Sequence, residues 1–182
     1  SRNKNKITGV SAAMQNYNDK QDEVASSVFY NKPVQKYYDG VSLDAIWAVR
    51  SLGIDPANGQ EIYLDKKGNR TYTYRVSDQV VCGDKLPDFQ GTAGFMFSYK
   101  GIELNATFRF QYGAQMYNQT LVDKVENADL MRNADKRVLD LRWMNVGDTA
   151  KFKGMNTGID GAGTKATSRF VMDENTFQMT SI

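Results

Sequence analysis

The sequence predicts a predominantly all-β chain with antiparallel strands, and two patterns lead to that prediction. Between residues 28 and 81, short apolar and aromatic runs alternate with turn sequences, of which those at 55–59 and 65–69 are the clearest. Strands separated this often by turn residues are typical of antiparallel β structure. The second pattern is a strict alternation of apolar and polar residues from Ile102 to Met116.

The alternating segment is the most informative part of the chain. Its apolar positions are Ile102, Leu104, Ala106, Phe108, Phe110, Tyr112, Ala114 and Met116. Because the side chains of a strand point alternately to its two faces, all of these residues lie on one face. The preceding run from Ala93 to Tyr99 also alternates, with Met96 as its one lapse. The Lys100-Gly101 pair between the two runs predicts a tight hairpin turn.

The length and the two faces of this hairpin leave two interpretations open. A strand averages about 5–6 residues in soluble domains, whereas a strand that crosses a membrane needs about 9–11. One face of the hairpin is aliphatic and aromatic, and the other carries Glu, Asn, Thr, Arg and Gln. A membrane β-barrel needs this arrangement, with lipid outside and a wet lumen inside. A long hairpin in a soluble sheet with one solvated face produces the same alternation.

The composition excludes several functional classes. The chain has 182 residues, 41% of them hydrophobic, and a formal net charge of +2. This apolar content can supply a core, and the small net charge argues against a dedicated nucleic-acid-binding protein. Without histidine and with one cysteine, Cys82, the chain can hold neither a Ser-His-Asp relay nor an internal disulfide. We therefore expect no catalytic residues, no metal site and no cofactor.

The remaining segments are defined less sharply by their sequence. Residues 8–28 carry a thin, loosely helical apolar face, so a surface helix and an ordered loop both remain open. Residues 121–143 mix apolar positions with charges of alternating sign, as in a solvated helix or loop. Residues 154–163 are glycine-rich and predict a flexible loop, and residues 168–182 begin a new β segment.

Several aromatic residues offer flat surfaces that could stack on sugar rings. They are Tyr37, Tyr38, Trp47, Tyr63 and Trp143. Aromatic side chains pack inside proteins more often than they bind ligands, so both roles stay open for this group.

A set of short motifs follows a characteristic order along the chain. An aromatic strand at 38–50 precedes the turn sequence GIDPANG at 53–59, and GDKLPDFQG at 83–91 precedes the hairpin. Further segments are the loop sequence at 133–148 and the strand at 168–182. In order and spacing this set resembles the SusC/RagA family of TonB-linked outer-membrane proteins, over nearly the whole chain. It departs from the family pattern at Asp39, Val146 and Gln178, where Glu, Pro and Arg are more usual.

The resemblance implies that residues 1–182 are a fragment of the C-terminal half of a TonB-dependent receptor β-barrel. A transmembrane hairpin would span about 91–117, and long extracellular loops with short helices would span about 8–81 and 121–165. The expected lipid-facing residues are Leu104, Phe108 and Phe110. The expected lumen-facing ligand residues are Asn105, Thr107, Arg109 and Gln111, and the loop aromatic ligand candidates are Tyr37, Tyr38, Trp47 and Trp143.

By the same resemblance, the whole protein would import glycan fragments or peptides across the outer membrane of a Gram-negative, Bacteroidetes-like cell. Its partners would be a SusD-like surface lipoprotein, the TonB complex and outer-membrane lipid, but no nucleic acid. The alternative is a soluble surface or periplasmic β-domain that binds a protein or carbohydrate partner. The apolar face of the hairpin favours the membrane, because such a face in water is an aggregation hazard.

Overall fold

The computed structural model describes residues 6–27, 30–129, 131, 133, 135–155 and 164–181. Most of their regular structure is antiparallel β-sheet, which confirms the predominantly all-β prediction. The strands are β1 (Ala45–Ile54), β2 (Glu61–Leu64), β3 (Arg70–Thr71), β4 (Gln79–Asp84), β5 (Phe89–Tyr99), β6 (Ile102–Tyr112), β7 (Gln115–Tyr117), β8 (Val171–Asp173) and β9 (Thr176–Ser181). The glycine-rich loop predicted at 154–163 lies mostly outside the described residues.

The segment near the N-terminus forms a helix, α1 (Gln15–Ser26). Of the two structures that the sequence left open here, the surface helix is therefore the one present. Its buried face is small and contains Asn18 and Ala25. The side chain of Asn18 pairs with both backbone groups of Tyr37: Oδ1 accepts from the amide at 2.9 Å, and Nδ2 donates to the carbonyl at 2.8 Å. Asn18, whose side-chain oxygen and nitrogen are both hydrogen-bonded, therefore fixes the segment that precedes β1 against the helix.

A four-stranded sheet with the order β3-β2-β1-β4 follows the helix. One of its two inner strands, β1, buries Ala45, Ile46, Ala48 and Val49. The turns predicted at 55–59 and 65–69 are both present. The carbonyl of Asp55 accepts the Gly59 amide at 2.8 Å, and the carbonyl of Asp65 accepts the Gly68 amide at 3.1 Å.

The predicted hairpin is present as β5 and β6, and β9 extends it to a three-stranded sheet with the order β5-β6-β9. The β5–β6 pairing is continuous from Phe89 opposite Tyr112 to Tyr99 opposite Ile102. Lys100 and Gly101 both have positive φ, at 48° and 85°. Such angles are those of a type I′ turn, whose twist matches that of the strands, so the predicted tight turn is confirmed.

The long alternating segment is two strands rather than one. β6 ends at Tyr112, and β7 pairs with β8 in a separate two-stranded sheet. At the break, the Gly113 amide donates to Asn175 Oδ1 at 2.9 Å, and the Glu174 amide donates to the Ala114 carbonyl at 2.7 Å. These contacts replace the regular ladder, and alternation of residue types alone does not reveal such an interruption.

The region around 121–143, which the sequence predicted to be partly helical, contains three short helical turns. They are α2 (Gln119–Leu121), a π-helical turn (Val122–Glu126) and α3 (Arg137–Asp140). Together with a 3₁₀ turn (Ser168–Phe170), they enclose a small apolar core. Its buried members are Val122, Val125, Val138, Phe152 and Phe170.

In the part of the chain that the structure describes, the strands form open sheets and do not close on themselves. The described helices are all too short or too polar to cross a membrane.

The Gly59 turn generates a stability prediction with a matched control. Gly59 and Gly68 both adopt left-handed φ, at +70° and +87°. Either change, Gly59→Ala or Gly68→Ala, should cost about 1–2 kcal/mol for this conformation. At Gly59 the new Cβ would also lie 2.5 Å from the Trp143 ring, whereas at Gly68 it would meet nothing within 4 Å. Overpacking should add about 1–3 kcal/mol at Gly59.

Hydrogen exchange of the turn amides measures both opening free energies. We expect Gly59→Ala to lose clearly more protection than Gly68→Ala. Equal losses in the two variants would mean that Trp143 does not hold this turn.

Candidate functional site

The three-stranded sheet places the predicted lipid-facing residues together on one face. Leu104 lies opposite Phe97, Phe108 opposite Ala93 and Met179, and Phe110 opposite Gly91 and Phe177. The Phe108 ring stacks between those of Phe95 and Phe177, with centroid distances of 6.2 Å and 5.3 Å. Each apolar position therefore has an apolar or glycine neighbour across the ladder, which is the unit of sheet stabilisation.

This apolar face is open among the described residues. Phe97, Ile102 and Phe177 expose 55%, 69% and 71% of their surface. Scattered apolar side chains are normal on protein surfaces, but a continuous face across three strands marks an interaction with lipid or protein.

The opposite face of the sheet carries the predicted lumen-facing residues. Arg109 lies opposite Thr92 and Gln178, and Gln111 lies opposite Gln90 and Thr176. Asn105 and Arg109 are exposed, while Thr107 and Gln111 are half-buried. The structure thus brings the four polar candidates to one face, with hydrogen-bonding groups free to meet solvent or a solute.

The four loop aromatics, in contrast, are separated into three places. Tyr37 packs against Tyr17, with ring centroids 5.5 Å apart. Tyr38 packs against Trp47 at 5.2 Å. Trp143 lies over Gly59, and its indole N–H donates to the Pro56 carbonyl at 2.9 Å. Trp143 therefore holds the 55–59 turn, and only Tyr38 and Trp47 adjoin each other.

Tyr38 and Trp47 line a cavity of about 360 Å³. The cavity lies between helix α1, the segment leading into β1, and strand β4. Burial, followed by the charges of Asp22 and Asp19, raises the pKa of the Tyr38 phenol above its ordinary value, so this group stays protonated and remains a hydrogen-bond donor. Lys36, Asp22 and Gln79 supply further polar groups to the same walls.

A buried ionic cluster, which sequence reasoning missed, joins the sheets to the loops. Arg169 Nη2 donates to Glu61 Oε2 at 3.0 Å and to Glu126 Oε1 at 2.7 Å. These residues belong to the 3₁₀ turn, β2 and the π-helical turn. Because the partners are separated by 108 and 43 positions in the chain, no local motif marks them.

Arg169 determines the charge state of this cluster. Burial alone would raise the pKa of Glu61, but the charge and hydrogen bonds of Arg169 overcome it, so the net pKa lies below its ordinary value. Burial lowers the pKa of Lys153 nearby, and the two glutamates oppose that effect. Arg169 therefore holds Glu61 in its ionised form and lies between the two carboxylates.

A second buried arginine supports the same region through backbone carbonyls. The Arg142 guanidinium donates to the carbonyls of Val125, Glu126, Val138 and Lys153. Hydrogen bonds from a charged donor are stronger than neutral ones, so Arg142 ties both helical turns to the loop that follows them.

Among the described residues, no group of three or more Cys, Asp or Glu side chains is placed to hold a metal ion. The arrangement can bind a solute at the polar face or in the Tyr38–Trp47 cavity, and can contact lipid or protein at the apolar face.

Comparison with known proteins shows the fold. No protein-family model and no curated protein matches the sequence. Solved structures do. A chain of the RagAB peptide importer in its open-open state is similar with a TM-score of 0.63 and 18% identity, over 78% of this chain. A chain of the RagAB peptide transporter has a TM-score of 0.60 and 17% identity over 81% of this chain. A chain of the importer in its closed-closed state has a TM-score of 0.59 and 20% identity over 79% of this chain. This chain spans only 15–17% of the length of those chains.

The ionic cluster generates a prediction. Arg169→Met would leave Glu61 and Glu126 buried without a counter-charge. Removing one partner of a buried ion pair costs about 3–5 kcal/mol, so the amides around Lys153 should lose protection of that order in hydrogen exchange. The matched control is Arg137→Met, because Arg137 pairs with Asp135 at a more exposed site. Exposed pairs contribute about 0–1 kcal/mol.

Similar losses in Arg169→Met and Arg137→Met would contradict a structural role for the buried cluster.

Proposed function

We propose that this chain is part of an outer-membrane, TonB-dependent importer that takes up glycan fragments or peptides with a SusD-like surface lipoprotein. The main support is the two-faced sheet, whose strands β5 and β6 have 11 residues each. This length suits a strand that crosses the hydrocarbon core, which needs about 9–11 residues. The open apolar face would meet lipid, and the polar face would line the lumen.

The similarity to RagAB importer chains supports the same proposal. The SusC/RagA family that the sequence resembles includes the RagA receptor, and the fold match extends over 78–81% of this chain. The names of those structures refer to peptide import, which supports peptides among the proposed substrates. A SusD-like lipoprotein, the TonB complex and outer-membrane lipid are the proposed partners, and the cell outer membrane is the proposed location.

In this proposal the chain makes and breaks no covalent bond, so it is not an enzyme. Asn105, Thr107, Arg109 and Gln111 would provide hydrogen bonds to a solute passing through the lumen. The segments at about 8–81 and 121–165 would form loops on the extracellular side. The Arg169 cluster would keep those loops in one arrangement.

The experiment that tests this proposal compares a charge on the two faces of the sheet at one depth. Phe95 lies opposite Ala106, so it is level with Asn105 on the other face. An Arg at a lipid-facing position costs about 2–4 kcal/mol near the bilayer midplane. We therefore expect Phe95→Arg to lose this amount of stability beyond Phe95→Ala, which removes only the ring packing. Asn105→Arg should cost much less.

Urea titration of the full-length protein in phospholipid vesicles measures these differences. Similar losses of stability in Phe95→Arg and Asn105→Arg would overturn the assignment of one face to lipid and the other to the lumen. A full-length protein that remains soluble without detergent or lipid would instead favour the alternative, a soluble β-domain.

A further inference from the structure

We infer that Asn58 is a deamidation site, and that Trp143 keeps it unreacted by holding the 55–59 turn closed. Asn58 is followed by Gly59. An asparagine before glycine is the most reactive kind, because glycine has no side chain to shield its backbone nitrogen. The inference concerns a chemical modification of one loop, so it goes beyond the importer proposal and does not rest on it.

The reaction takes place between atoms of these two neighbouring residues. The Gly59 backbone nitrogen loses its proton and attacks Cγ of Asn58, so that a succinimide ring forms. The bond between Cγ and Nδ2 breaks, and the amino group leaves with that proton as ammonia. Water then opens the ring at either carbonyl and gives an aspartate or an isoaspartate at position 58. Water is the sole co-reactant, and nothing is oxidised or reduced.

The side chain of Asn58 already lies in a suitable place for this reaction. Its Oδ1 accepts a hydrogen bond from the Gln60 amide at 2.9 Å. Such a contact with the backbone two residues further on is an Asx turn, which folds the carboxamide over the intervening peptide. That peptide contains the Gly59 nitrogen. Protection of Asn58 must therefore come from the nitrogen that would attack it.

The closed turn withholds this nitrogen. The Gly59 amide donates to the Asp55 carbonyl at 2.8 Å, so its proton points into the turn. Gly59 is buried. A Cβ at this residue would lie 2.5 Å from the Trp143 ring, which means that the indole covers Gly59 directly. Hydroxide has to remove the amide proton before attack, and it reaches that proton only when the turn opens.

Trp143 and the residues after it hold the turn at two points. The indole N–H of Trp143 donates to the Pro56 carbonyl at 2.9 Å, and the Gly147 amide donates to the same carbonyl at 2.8 Å. The Gly154 amide donates to the Gly59 carbonyl at 3.3 Å. Because the Trp143 side chain contacts both Pro56 and Gly59, its removal should open the turn more often.

Deamidation would make such an opening permanent. An isoaspartate adds a carbon atom to the backbone ahead of Gly59, so the hydrogen bond from Gly59 to Asp55 could not form again in its present geometry. Either product also places a new negative charge close to Asp55. The modified turn would then lose its fit against Trp143.

Peptide mapping measures the reaction at this position. The full-length protein is incubated in detergent at mildly alkaline pH and then digested with trypsin, which cleaves after Arg50 and Lys66. Peptide 51–66 contains Asn58 as its only asparagine, and its mass increases when the amide is hydrolysed. The same peptide made synthetically gives the rate without the fold. We expect the folded protein to react at least about tenfold more slowly, because only the open population reacts.

Substitutions at Trp143 test its role. Trp143→Ala should raise the rate at least about tenfold, which corresponds to a loss of about 1.4 kcal/mol in opening free energy. Trp143→Phe keeps a ring over Gly59 but lacks the N–H donor, so it should react at an intermediate rate. The control is Gly68→Ala, which strains the neighbouring turn but meets nothing within 4 Å. It should react at the rate of the unaltered protein.

Three results would overturn the inference. The first is that the folded protein reacts as fast as the synthetic peptide, so that the closed turn gives no protection. The second is that both Trp143 variants react no faster than the unaltered protein. The third is that Gly68→Ala reacts as fast as Trp143→Ala, which removes any specific role of the indole. Hydrogen exchange of the β1 amides identifies variants that have unfolded, and Trp143→Phe decides the matter if Trp143→Ala does not fold. None of these results bears on the location of the protein, so the importer proposal is tested separately.

Discussion

The buried contact of Arg169 with Glu61 and Glu126 is the constraint on which the ordered part of the loops depends. Short strands and single helical turns have little stability of their own, since most helical stability comes from packing. Arg169 joins β2 to the π-helical turn, and its Nη1 also donates to the Lys151 carbonyl at 2.6 Å. A buried ion pair is weak evidence for stability but fixes one arrangement strongly, because each charge is costly without its partner.

The three-stranded sheet follows a different physical rule. Its apolar residues lie opposite one another in a continuous register, but few of them are buried by the described part of the chain. In water this face would favour association, whereas in lipid it would need no further cover. The polar face and the ordered loops, by contrast, are suited to water. The molecule therefore combines a sheet that needs an apolar surrounding with loops that carry their own small core.

The sequence predicted those features that depend on local pattern. Alternation predicted the β5–β6 hairpin and its two faces, and Lys100-Gly101 predicted the turn, since strand and turn geometry are set by neighbouring residues. It did not predict the break after Tyr112, where the Gly113 amide pairs with Asn175, because that partner lies in a distant part of the chain. It also missed Arg169, Glu61 and Glu126, whose roles depend on contacts between distant segments. For the same reason it grouped four aromatics that the structure separates.

In the proposed importer, successive residues of β5 face lipid and water in turn. The most direct measurement places an environment-sensitive fluorophore on one cysteine at a time, from Phe95→Cys to Ser98→Cys, in full-length protein carrying Cys82→Ser. The protein is folded into vesicles that contain brominated lipid, which quenches fluorophores within the hydrocarbon. The account predicts strong quenching at positions 95 and 97 and weak quenching at 96 and 98. Equal quenching at all four positions, or none at any, would contradict it.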